Sequence, residues 1–163
     1  MPHALELRFS PSDEAQIRAL WQAAARIYDS TYLFDNEVIP HLALLVSNES
    51  LEAVFSKFSH PSFLITFTAI ERFDESSTIY LEANTSSILR RLHQAAFDDA
   101  SKSGIDIHSY YHPKLWVPHC TIAHQVHDTK NPLPLDFPTQ VTVNSLIHVD
   151  FPPTRLISEK PLR

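Results

Sequence analysis

Apolar and polar residues alternate over residues 3–9 (HALELRF), the pattern of a half-buried strand. Ser10, Pro11 and Asp13 then mark a helix start: a hydroxyl N-cap, a proline at the first helical position and a carboxylate that answers free amides. Ile17, Leu20, Trp21, Ala24 and Tyr28 follow at helical spacing, which predicts a helix over 11–28 with one apolar face. Residues 29–37 read as a loop carrying Tyr32 and Phe34, and 38–47 (VIPHLALLVS) as a strand that Pro40 restricts to a sheet edge or an irregular start. Asn48 is a candidate cap for a short helix over 49–58, with Leu51, Val54, Phe55 and Phe58 on one side. Strands over 62–72 and 78–83 form a hairpin. Asn84 or Thr85 caps a helix near 86–102, which Lys102 and Gly104 terminate. A loop over 105–114, a second proline-started strand over 115–126, a proline-rich loop over 128–138 and strands over 139–151 and 154–160 complete the chain. Strands and helices in mixed order indicate an α+β fold rather than a doubly wound sheet, in one domain over residues 1–163.

Within that pattern two stretches share a local design, VIPHLALLV around His41 and WVPHCTIAH around His119. Side chains alternate along a strand, so His41 and Ala43 face one way while Leu42, Leu44 and Val46 face the core. His119 and Thr121 likewise oppose Cys120 and Ile122. If the two strands lie close together, the imidazoles flank a small cleft. One can then take a proton from an attacking water while the other protonates a leaving oxygen, roles open to groups with an ordinary pKa near 6.5. The Thr121 hydroxyl would donate to a phosphoryl oxygen as charge develops there. The chemistry that fits is phosphoester hydrolysis with no metal and no other cofactor.

Composition narrows this further. The 163 residues include 12 prolines and one glycine, which excludes a glycine-rich phosphate cradle, so side chains must hold any phosphate. The net charge of −6 carries no basic stripe, against extended nucleic-acid binding, although one local site can still be positive. Cys120 is the only cysteine, no secretion signal opens the chain and no apolar run would span a bilayer, so a reducing compartment, the cytoplasm, is expected.

The paired motifs, His41-Leu42-Ala43-Leu44 and His119-Cys120-Thr121-Ile122, lie 78 positions apart and resemble those of the 2H phosphoesterase superfamily, the two-histidine proteins that include 2'-5' RNA ligase-like proteins and cyclic nucleotide phosphodiesterases. The resemblance spans roughly residues 3–160. It implies two pseudo-symmetric lobes with antiparallel sheets around a central cleft and helices on the outside. It also implies a metal-independent, monomeric enzyme that hydrolyses a 2',3'-cyclic or 2'-linked nucleotide or RNA phosphodiester, with His41 and His119 as the acid–base pair and Thr121 as phosphate ligand. The partner would be a small nucleotide or an RNA terminus. The chain departs from the family pattern at Ala43, where a Thr or Ser hydroxyl is expected.

Tyr32, Phe34 and Tyr111 either stack on a base or pack their loops against the body. Arg8, Arg72 and Arg155 either neutralise phosphate or form ordinary surface ion pairs, and His148 belongs at the cleft rim. His108-x3-His112 and His124-x2-His127 lack the acidic or cysteine partners of a dedicated metal site. Two rival readings stand beside the enzyme: a non-catalytic nucleotide- or RNA-end-binding module using the same cleft, and an interaction protein whose histidines are unrelated.

Overall fold

In the computed structural model, which describes residues 1–126 and 133–163, strand β1 (His3–Phe9) leads directly into helix α1 (Pro11–Tyr28). All the start signals act: Ser10 caps, Pro11 opens the first turn, and Asp13 also accepts from the Thr142 amide at 2.7 Å. The face formed by Ile17, Leu20, Trp21 and Ala24 is buried. The expected loop 29–37 contains a four-residue helix, α2 (Tyr32–Asp35), too short to show a period. Next come β2 (His41–Ser47), α3 (Glu52–Lys57), β3 (Phe63–Phe73), β4 (Thr78–Ala83) and α4 (Ser87–Lys102). A 3-10 turn at Ser109–Tyr111 precedes β5 (His119–Ala123), β6 (Thr139–Asp150) and β7 (Arg155–Pro161).

Three boundaries differ from the expectation, each for a local reason. Asn48 does not cap α3: the Glu49 amide bonds the Ser47 hydroxyl, and the helix starts after Leu51. Ser86, not Asn84 or Thr85, caps α4 by accepting from the Leu89 amide at 3.2 Å. Strands β2 and β5 begin at the histidines themselves, immediately after Pro40 and Pro118, whose nitrogens have no hydrogen to give a ladder. The proline-rich loop lies partly outside the described residues, at 128–132.

Every strand pairing is antiparallel, in the order β2-β1-β6-β3-β4-β5, with β7 also on β6. Strand β6 is shared. Its first part, to Val143, pairs with β3, and the rest pairs with β1 and β7. The two lobes are thus joined through one strand in a seven-stranded sheet. Although β2 and β5 stand at opposite ends of that order, they are in contact, so the sheet curves until its ends face each other. Helix α1 packs on β5 and helix α4 on β2, so each end strand is backed by a helix. No helix among the described residues is long and apolar enough to cross a membrane.

The main core includes Leu5, Leu7, Phe9, Trp21, Leu42 and Phe67. A second, smaller cluster of Ala4, Val46, Ile147 and Val149 lies on the opposite face of the sheet. Val46 was expected toward the main core. A β-bulge corrects this: the register slips between Leu5↔Leu45 and Glu6↔Ala43, leaving Leu44 as the extra residue. Leu44 and Leu45 both enter the main core, and Val46 turns outward with Ala43.

Candidate functional site

A cavity of about 650 Å³ opens between the facing strands. His41 and Ala43 from β2, and His119 and Thr121 from β5, all line it. Each end strand has one row of backbone groups without a strand neighbour. On both, that row is partly satisfied by an indole: Trp116 Nε1 donates to the Ala43 carbonyl at 3.2 Å and Trp21 Nε1 to the Thr121 carbonyl at 3.0 Å. The third residue of each motif is therefore held from behind by a tryptophan. Trp116 is fixed in turn by a parallel stack on His93, at 4.0 Å between ring centroids, while His93 Nε2 bonds the Tyr111 carbonyl at 2.9 Å. Burial lowers the His93 pKa to about 4, so this ring is neutral and donates that proton.

The two motif histidines share one backbone device. His41 Nδ1 lies 2.6 Å from the Ile39 carbonyl and His119 Nδ1 lies 2.7 Å from the Val117 carbonyl. A carbonyl only accepts, so Nδ1 carries the hydrogen in both rings and Nε2 is left for chemistry. Burial lowers both pKa values against the opposing pull of those carbonyls, and for His119 the value falls to about 4, with proximity to His41 adding to the drop. His119 stands edge-on to Phe73 and Tyr80, at 5.0 and 5.4 Å between centroids, which accounts for its dry surroundings.

Two further cleft residues escape a reading by motif. His124 lines the cavity, shares a 2.9 Å hydrogen bond between Nδ1 and the Thr78 hydroxyl, and is held below its ordinary pKa by burial and by the other two histidines. Glu6, from β1, lies directly across from Ala43, with Oε1 3.3 Å from His41 Nε2. Its Oε2 is buried and has no hydrogen-bond partner among the described residues, and burial raises its pKa to about 8. The sequence signal for Glu6 was faint, one acidic residue on the polar side of an alternating strand.

Among the aromatic candidates, Tyr32 lines the cavity with its ring edge-on to His124 at 4.7 Å, and Tyr111 lines it with a phenol whose pKa burial raises. Phe34 does not line it: 40% exposed, it packs edge-on against Trp21 outside the cleft. Tyr110 reaches across the mouth to donate to Glu75 Oε2 at 2.6 Å. Neither Arg8, which pairs with Glu14 and Glu159, nor Arg155, which pairs with Asp150, lines the cavity, and Arg72 also stays outside. His148 is not at the rim. It is 1% exposed, beside His3 and Glu52 and away from the cavity. Cys120 is buried in the core with its thiol pKa pushed up to about 12, so it stays protonated. Among the described residues no group of three or more His, Cys, Asp or Glu is arranged to hold a metal, and His127 lies outside them.

The same overall fold is found in solved structures of other proteins. The fold matches E. coli LigT complexed with 3'-AMP at a TM-score of 0.71, with 17% identity over 99% of each chain. It matches TT0787 of Thermus thermophilus at 0.71, with 14% identity over 100% of this chain and 98% of that one. E. coli LigT complexed with NADP+ matches at 0.65, with 17% identity over 99% of each chain. No curated protein matches. The family model of the 2'-5' RNA ligase superfamily matches residues 8–150. The chain belongs to that superfamily, whose members are phosphoesterases and RNA ligases, and its activity class is phosphodiester processing.

Proposed function

We propose that the chain hydrolyses a 2',3'-cyclic or 2'-linked nucleotide or RNA phosphodiester without a metal, with His41 and His119 as acid and base. The observation that carries this reading is the matched pair of Nδ1–carbonyl bonds, which presents two Nε2 atoms to one cavity. As a water oxygen bonds to phosphorus, one imidazole takes the water proton. The bond from phosphorus to the ribose oxygen breaks, and the other imidazole protonates that oxygen. The Thr121 hydroxyl donates to a non-bridging oxygen. Tyr32, Tyr111 and Trp116 give the cavity aromatic surface suited to a base.

The lining also speaks for a small substrate. Among the described residues it contains no Lys or Arg, and it includes Glu6, Asp74 and Glu75. Such a site suits a single phosphodiester charge better than a polyphosphate or a run of RNA backbone. The 3'-AMP and NADP+ complexes of LigT are consistent with nucleotide-sized ligands.

The test is turnover of a 2',3'-cyclic nucleotide in EDTA. Activity is expected to persist in chelator and to fall by about 10²–10⁴ in His41→Ala and in His119→Ala, with both variants folded by circular dichroism. Full activity in both variants would refute the scheme. Ala43 favours one second reading, a binding module: the missing hydroxyl removes a transition-state donor. Calorimetric binding of the cyclic nucleotide with no product formed would select it.

A further inference from the structure

The two motif strands present their imidazoles alike but surround them differently. Opposite Ala43, at the matching position of β1, stands Glu6. Alanine carries no hydroxyl, and the Glu6 carboxyl, 7% exposed, places Oε1 3.3 Å from His41 Nε2. Because Nδ1 of His41 already donates to the Ile39 carbonyl, Nε2 is the only ring atom left to meet that carboxyl. A bare carboxylate facing a bare ring nitrogen repels, so this contact requires one proton between Oε1 and Nε2. Among the described residues His119 has no such carboxyl partner; its ring packs in T-shaped contact with Phe73 and Tyr80.

We propose that Glu6 is a positioning residue that shares one proton with the cleft-facing nitrogen of His41, making His41 the general acid and leaving His119, with its open lone pair, as the general base. This rests on the hydrolytic reading above. In the step, water bonds to phosphorus and gives its proton to His119 Nε2. The leaving ribose oxygen takes the single proton that Glu6 and His41 share, through His41 Nε2, which leaves Glu6 a carboxylate and His41 neutral. His119 then releases its proton to solvent, and the pair is reprotonated from solvent before the next turnover.

The electrostatic setting agrees. The titratable groups facing Glu6 are His41 from β2, Tyr111 from the 3-10 turn, and His119 and Cys120 from β5; β6 presents Ile147 at the matching position. No Lys or Arg among the described cleft residues would stabilise an ionised Glu6. Burial raises its pKa to about 8, whereas His119 is lowered to about 4. Burial also lowers the His41 pKa, so the shared proton rests on the Glu6 side of the contact below about pH 8 and is lost above, while His119 is a free base above about pH 4.

The experiment compares wild type with Glu6→Gln, nearly the same shape but unable to titrate. Rates on 2',3'-cyclic AMP are measured against pH, and the His41 ring is followed by NMR. Wild type is expected to show an alkaline limb and a one-proton step at His41, both near pH 8. In Glu6→Gln the step near pH 8 and the alkaline limb are both lost, and kcat at pH 7.5 falls by about 10²-fold while KM changes little. Matching titrations and rate profiles in the two proteins would overturn the proposal. The NMR arm needs no turnover, so an inactive wild type refutes the hydrolytic reading while the Glu6–His41 pair is still judged. Should the variant not fold, the wild-type titration decides: a step near pH 8 sensed by the His41 ring supports the pair, and a ring that shows no step there overturns it.

Discussion

The strand of His41 and the strand of His119 are built on one backbone plan. In each, a proline precedes the histidine, Nδ1 bonds the carbonyl two residues back, and a tryptophan indole bonds the carbonyl two residues on. The side chains do not follow that symmetry. The second motif keeps Thr121 and sets its ring among aromatic faces, whereas the first has Ala43 and sets its ring against a carboxyl. Equivalent backbone frames deliver two nitrogens to one place, and the unlike surroundings separate their proton affinities. In the proposed mechanism an acid and a base are thereby made from the same side chain.

The comparison is broken most severely by removing the hydroxyl that only one half retains. Thr121→Ala makes the second motif resemble the first and leaves neither with a donor. The expected loss is about 10²–10³ in kcat on a 2',3'-cyclic nucleotide, equivalent to about 2.7–4 kcal/mol of transition-state stabilisation, with little change in melting temperature. A loss below threefold would mean that Thr121 does not face the reacting phosphate.

The tryptophans test the shared frame. Trp116→Phe and Trp21→Phe each strip the indole donor from a motif carbonyl, Ala43 in one case and Thr121 in the other. Each is expected to lower unfolding free energy by about 1–3 kcal/mol in urea titrations. Trp21→Phe should cost more, because its ring is 2% exposed and its loss also opens space in the core. If both variants unfold with the wild-type midpoint, the carbonyl bonds are incidental and the likeness of the two strands has no energetic meaning.

How far the sequence carried depends on whether the determinants were local. Helix α1 was legible to the residue, because Ser10, Pro11, Asp13 and the 3–4 spacing of its apolar face all agree. The motif histidines could be found because they repeat a short pattern, and Pro40 restricted the first of their strands to a sheet edge or an irregular start, of which the edge is observed. The direction of Val46 could not be read: it depends on a bulge, a property of the β1–β2 pairing rather than of either strand. Glu6 was hidden for the same reason, since its register opposite Ala43 is a pairing fact. His93, 23 residues before Trp116, acts through a ring stack that only the tertiary fold creates.

The smallest expected effect is also the most discriminating. Ala43→Thr restores the family's hydroxyl to the first motif, so a simple view of Ala43 as damage predicts a gain as large as the loss in Thr121→Ala. The register gives a different answer. Glu6 is the cross-strand partner of position 43, and its Oε2, buried and without a hydrogen-bond partner among the described residues, is a strong acceptor that can compete with a phosphoryl oxygen for a hydroxyl placed there. Part of the new donor's capacity is spent inside the protein, and kcat is expected to rise by less than about tenfold. The melting temperature is expected to rise with it, as Oε2 gains a partner. A gain near 10² would instead mean that the hydroxyl reaches the substrate unopposed, and that the asymmetry between the two motifs is a lost group rather than an acid–base division.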